Sequence, residues 1–86
     1  MSDLSDRFAV AAAESKSLPE RPSNDDMLRL YALYKQGSIG PVSGDRPGMM
    51  DFVGRAKYDA WADLGDMSQD DAMTGYVELV ESLKTG

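Results

Sequence analysis

Two pairs of residues near the middle of the chain have the types and spacing to act together. Tyr31 and Lys35 are four apart, and so are Lys57 and Trp61. If both flanks are helical, each pair shares a face, because residues i and i+4 lie one above the other on a helix. An aromatic face can stack on a nucleobase and an ammonium can meet a phosphate. The stretch from Met27 to Leu64 therefore suits a ligand that carries both.

The residue types that are missing narrow the chemistry further. The chain has neither Cys nor His. That excludes disulfides, thiolate zinc sites and a cysteine nucleophile, and removes the commonest general base and metal ligand. An enzyme would have to run on carboxylates, Ser, Tyr or Lys. The acidic pairs Asp25/Asp26 and Asp70/Asp71 are better explained as helix N-termini, where the dipole favours a carboxylate. No catalytic residue, metal ligand or cofactor is expected. The net charge of -6 argues against a polyanion such as nucleic acid, but it is unevenly placed. From Arg29 to Lys57 five basic residues face two acidic ones, a balance of +3, while the rest of the chain carries -9. An anion site, if present, lies in the centre.

These residues must be positioned by a small scaffold. With 86 residues and 42% hydrophobic content, the chain is expected to form one domain, 1–86, near the size at which a single core is only just sufficient. No run approaches the roughly 20 apolar residues that cross a bilayer. The start MSDLSDRF lacks both the basic end and the apolar centre of a signal peptide, so a soluble, unprocessed, cytoplasmic protein is expected.

Four helical patterns follow in order. Leu4 to Ser17 has Leu4, Phe8, Ala11, Ala12 and Ser15 at helical spacing, with Lys16 ending the stripe at the rim. Pro19 and Pro22 stop it, and Ser23 with Asp26 reads as the N-cap of a second helix. There Met27, Leu30, Tyr31 and Tyr34 follow the i, i+3, i+4, i+7 pattern of one buried face, flanked by Leu28 and Lys35. Gly37 to Asp51, with four glycines and two prolines, cannot be regular structure and reads as an ordered loop packed by its own Ile39, Val42, Met49 and Met50. Asp51 caps a third helix to about Leu64, with Phe52, Ala56, Ala60 and Leu64 on one stripe, Trp61 beside it and Gly65 at its end. Ser68 and Asp71 repeat the cap, and Met73, Tyr76, Val77, Val80 and Leu83 carry a final helix. The pattern describes an all-α four-helix bundle with one long crossover loop between helices two and three. The crossover lets those two helices run side by side in the same direction.

At this point the central residues resemble a known family, the acyl-CoA-binding proteins. The run YALYKQ, with Tyr31, Tyr34, Lys35 and Gln36, is similar to the family's helix-two signature. Its second signature is similar to Arg46, Pro47, Gly48, Met49, Asp51, Phe52, Gly54, Ala56, Lys57, Tyr58, Ala60 and Trp61. Asp71, Ala72, Met73 and Tyr76 match its closing motif, and Phe8, Ala12 and Lys16 fall where the family has like residues. The resemblance implies a carrier of long-chain acyl-CoA esters that catalyses nothing. It implies that Tyr31, Lys35, Lys57 and Tyr76 hold the adenine and 3'-phosphate, with Tyr34 close by and Lys16 facing the ligand from helix one. Ala12, Met27 and Leu28 are the positions matching the acyl groove. Acyl-CoA-using enzymes, and transiently a membrane surface, are the implied partners; the sequence carries no oligomerisation signal, and a monomer is expected.

Three departures stand out. Val53 replaces a lysine that many members carry, removing one cationic contact to the nucleotide. Tyr58 replaces a tryptophan. Gly37 and Ser38 stand where helix two usually continues, so that helix is expected to end early. From a different class, the alternative reading is a helical protein-interaction module in which the Tyr/Lys face docks an acidic partner.

Overall fold

The computed structural model describes residues 3–85. Four α-helices make up the regular structure among these residues: α1 (Asp3–Glu14), followed by a short 3-10 turn (Ser15–Ser17), α2 (Asn24–Ile39), α3 (Phe52–Ala62) and α4 (Gln69–Thr85). The expected all-α bundle is observed, with its one long connection between α2 and α3.

The helix starts follow their caps. Ser23 Oγ accepts from Asp26 N at 3.1 Å, Asp51 Oδ1 from Gly54 N at 2.9 Å and Ser68 Oγ from Asp71 N at 3.0 Å. Each satisfies one of the backbone donors that a helix leaves open at its start. Gly65, at φ 61°, turns the chain after α3 in a conformation that costs other residues energy.

Packing is centred on α4. Its Ala72, Tyr76, Val77 and Val80 meet Phe8 and Ala11 of α1 and Leu33 of α2 in one buried cluster. α2 packs on both α4 and α3, whereas α1 packs on α4. Phe8 meets Tyr76 near the middle of the α1–α4 pair and Lys84 reaches Glu14 at 3.1 Å at its end, so α1 and α4 run in the same direction. Lys57 sits over Tyr31, Lys35 over Trp61, and Gln36 reaches Gly65 and Met67, so α2 and α3 also run in the same direction. This is the arrangement the long crossover anticipates. The backbone spans 36 × 31 × 16 Å, a flattened bundle.

Three local expectations are corrected. First, α2 does not end before Gly37 but continues to Ile39, with Gly40 N bonding Gln36 O at 2.9 Å. Gly37 is buried where a Cβ would stand 3.1 Å from both Met73 Cγ and Phe8 Cζ. It is the close approach of α2 to α4 that the glycine serves, not an early end. Second, the buried face of α2 is Ala32, Leu33, Gln36 and Gly37, rotated away from the expected stripe; Met27 and Tyr34 are 41% and 43% exposed. Small side chains let α2 settle onto α4, and the tyrosine face is left open.

Third, the crossover is packed little by its own apolar side chains, since Ile39, Met49 and Met50 are exposed and Val42 alone of the four is half-buried. It is held instead by α3. Trp61 Nε1 donates to Gly40 O and Tyr58 Oη to Gly44 O, each at 2.9 Å. Arg46 grips Asp59 through two bonds of 2.9 and 2.7 Å. On α3 itself Trp61 is the buried residue, and Phe52, placed with the core stripe by periodicity, is exposed.

Candidate functional site

The open face of α2 borders two grooves. The first, about 570 Å³, lies between α1 and α2, with Ala12 and Lys16 on one side, Tyr31 and Tyr34 on the other, and Tyr76 of α4 at its base. Ala9, Ala13, Ser15 and Leu30 complete its lining. Ala9, Ala12 and Ala13 share one face of α1, and their small side chains keep this wall low. The second groove, about 630 Å³, lies between α2 and α3. Met27, Leu28 and Tyr31 line one wall, Phe52, Val53, Ala56 and Lys57 the other, with Arg21 and Asn24 at an end.

Tyr31 belongs to both grooves. It is also where the cations gather. Lys57 Nζ is 5.4 Å and Lys35 Nζ 6.0 Å from its ring centroid, and Lys35 Nζ is 5.2 Å from the Trp61 ring. The spacing argument paired Tyr31 with Lys35 and Lys57 with Trp61 along each helix. The parallel packing of α2 on α3 adds the cross pairs, so the two platforms become one. Cations within about 6 Å of an aromatic centroid are attracted by the ring quadrupole, which orients both ammoniums over the ridge between the grooves.

None of Lys16, Lys35 and Lys57 forms an ion pair with a carboxylate among the described residues; the ion pairs there involve Arg46 and Lys84. The aromatic rings beside them pack on one another. Phe8, Tyr34 and Tyr76 form a triangle with centroids 5.2 to 5.8 Å apart, Phe8 stacked on Tyr34 and edge-on to Tyr76. Tyr31, Tyr34 and Tyr76 make no hydrogen bond among the described residues, unlike Tyr58, whose hydroxyl is committed to the loop. Free ammoniums beside free phenols can bind a compact anion and a flat ring together.

Resolved shifts in ionisation lie away from these grooves. The hydrogen bond from Arg46 lowers the Asp59 pKa from its ordinary 3.8, and the same bond raises that of Arg46. Hydrogen bonds to Glu14 and then Glu81 raise Lys84. Among the described residues no cluster of His, Cys, Asp or Glu could hold a metal ion, and no helix is long and apolar enough to cross a membrane.

Of the expected site residues, Ala12, Lys16, Tyr31, Tyr34 and Tyr76 line the first groove. Met27, Leu28 and Lys57 line the second, and Lys35 stands between Tyr31 and Trp61. Ala12 is thus on the far side of Tyr31 from Met27 and Leu28. Arg21, Leu30, Phe52 and Val53 were not singled out as groove residues by sequence. Phe52 and Leu30 sat on apolar stripes that read as core, and nothing in their spacing distinguishes a groove from a buried interior. For Val53 the resemblance spoke only of a missing cation.

Comparison with known proteins agrees with this architecture. A family model described as Acyl CoA binding protein matches residues 5–80. The chain is similar to Acyl-CoA-binding protein homolog 1 of Caenorhabditis elegans, 50% identical over 76 residues that cover 88% of each protein. It is 47% identical over 81 residues to Acyl-CoA-binding domain-containing protein 5 of Xenopus tropicalis, covering 90% of this chain and 18% of that protein. Among solved structures it superposes on that of Oryza sativa Acyl-CoA-Binding Protein 2 with a TM-score of 0.88 and 41% identity, over 93% of this chain and 87% of that one.

Proposed function

We propose, because the chain belongs to the acyl-CoA-binding protein family, that its two grooves hold the two halves of one long-chain acyl-CoA ester. The protein binds acyl-CoA and acts as a carrier rather than an enzyme. Tyr31 carries the residue-level reading: among the described residues it alone lines both grooves, and two lysines with no carboxylate partner there stand over its ring. In this reading the adenine lies on the aromatic floor of Tyr31, Tyr34 and Tyr76. The 3'-phosphate, a compact dianion, is met by Lys16, Lys35 and Lys57 as point charges. The acyl chain crosses the Tyr31 ridge from the side of Ala12 and runs along Met27 and Leu28, gaining roughly 0.8 kcal/mol for each methylene it buries.

Residues 1–86 act as one such domain, a cytoplasmic monomer that takes its ligand from a membrane surface or from water and presents it to acyl-CoA-using enzymes. No residue has a catalytic part in this scheme. Calorimetric titration of Lys35→Ala and Tyr31→Ala with palmitoyl-CoA tests the assignments. A hydrogen bond to a charged group contributes about 1.5–3 kcal/mol, so loss of Lys35 lowers affinity by about 10- to 150-fold. Unchanged affinity in both variants would remove these residues from the site.

A further inference from the structure

We propose that the cavity on the far side of Leu28 is a second acyl subsite, which takes the terminal methylenes of chains too long for the second groove. The inference rests on the acyl-CoA reading above and adds the ligands that the site favours, esters longer than palmitoyl-CoA. A cavity of about 280 Å³ lies between α2 and α3 beyond that groove, toward the C-terminal end of α3. Leu28 lines both spaces, so one half-buried side chain is the partition between them.

Two helices running in the same direction set the path. On α3, Ala56 lines the groove and Ala60, one turn on, lines the cavity; on α2 the same step leads from Leu28 to Ala32. One turn advances about 5.4 Å, roughly the length of four extended methylenes. An alanine from each helix at this level leaves the space that larger side chains would fill. Leu28 makes no polar contact that its movement would break, and a change of its rotamer joins the two spaces.

The lining selects a hydrocarbon. Leu33 is 6% exposed and belongs to the buried core, and Leu64 and Met67 pack against that core. The thioether of Met67 is unbranched and flexible, which lets this wall follow chain ends of different length. The charged lining residues are Arg29 and Asp63, one on each helix, exposed and opposite in sign. They give an ionic group no net attraction, and the remaining lining offers a buried polar group no hydrogen-bond partner from a side chain. Continuity with the groove decides the source of the hydrocarbon. A chain anchored by its own head group reaches the cavity as an intramolecular step, whereas a free hydrophobe must find it from water.

The test is displacement titration of the wild type and Ala60→Leu with dodecanoyl-, palmitoyl- and arachidoyl-CoA, each below its micelle threshold. Ala60 lies outside both grooves, and leucine there fills the cavity. Each fully buried methylene raises affinity by about fourfold, so partial burial of four predicts that the wild type binds arachidoyl-CoA at least ~10-fold tighter than palmitoyl-CoA. In Ala60→Leu that ratio should fall to within about twofold of unity, while the ratio of palmitoyl- to dodecanoyl-CoA affinity stays that of the wild type. A wild type that gains nothing from palmitoyl- to arachidoyl-CoA, or a variant with the wild-type ratio, would overturn the subsite and leave the carrier reading standing. No binding of any of the three esters would overturn both. If Ala60→Leu does not fold, NMR of the wild type with arachidoyl-CoA carrying an isotope-labelled terminal methyl decides. Nuclear Overhauser contacts from that methyl to the Ala60 and Leu64 methyls sustain the subsite. Contacts only to Phe52 and Val53, or to no protein group, refute it, because the chain end then leaves the groove on its open side.

Discussion

Replacing Gln36 by Leu should destabilise the fold by about 1–2 kcal/mol through the turn between α3 and α4. Gln36 is fully buried, and its Nε2 donates to Gly65 O at 3.1 Å and to Met67 O at 2.9 Å. Leu nearly fills the same space, so the change removes two hydrogen bonds without opening a cavity. Each carbonyl left without its donor in this half-buried turn costs about 1–1.5 kcal/mol, near the lower end of the usual range. Offsetting this, Gln36 Oε1 is buried with no partner among the described residues, and removing it returns about 1 kcal/mol. For a domain of this size 1 kcal/mol moves Tm by about 4–8 °C, so thermal unfolding followed by circular dichroism should show a fall of roughly 5–15 °C.

Gln36→Glu sharpens the reasoning. At neutral pH it aims a carboxylate at two carbonyl oxygens in a buried site, which raises its pKa in the folded state. The folded variant then holds a proton that the unfolded chain has released, so its stability relative to wild type falls as pH rises. Gln36→Glu should therefore be less stable than Gln36→Leu at about pH 7.5 and recover at about pH 5, where the protonated acid restores one donor. Equal Tm for Gln36→Leu and wild type, or a Gln36→Glu deficit that shrinks as pH rises, would refute this account of the turn.

Trp61→Phe removes the bond to Gly40 O and the larger ring beneath Lys35. A loss of about 1–2 kcal/mol in chemical unfolding is expected, together with a several-fold loss in palmitoyl-CoA affinity because Lys35 is no longer held. The Arg46–Asp59 tether has a definite pH window. Asp59 titrates below its ordinary 3.8, so the tether is fully present above that value and lost as pH falls through the depressed one. Carboxylate NMR titration should show the depressed midpoint in the wild type and its return toward the ordinary value in Arg46→Ala.

How legible this was in the sequence differed with the kind of signal. Caps are local chemistry, and Ser23, Asp51 and Ser68 start α2, α3 and α4 as their side chains require. The crossover's length carried the relative direction of α2 and α3. The face that α2 buries was not legible, because apolar periodicity counts Met27, Leu30, Tyr31 and Tyr34 as core and is blind to the small residues Ala32 and Gly37 that bring α2 onto α4. The same blindness turned Phe52 into a core residue. An apolar side chain that waits for a ligand or a surface has the same pattern as one already buried. The tyrosines and lysines were legible as types, yet their joining at Tyr31 depends on the register of two parallel helices, which no single helix encodes.

The most direct measurement is calorimetric titration of the delipidated protein with free CoA, palmitate, and octanoyl-, dodecanoyl- and palmitoyl-CoA, each acyl-CoA kept below its micelle threshold. Two grooves joined at Tyr31 predict that tight binding needs both halves of the ligand. Affinity should climb with chain length by on the order of a hundredfold for four methylenes that the second groove covers. Palmitate binding as tightly as palmitoyl-CoA, or affinity flat across the acyl series, would contradict the account.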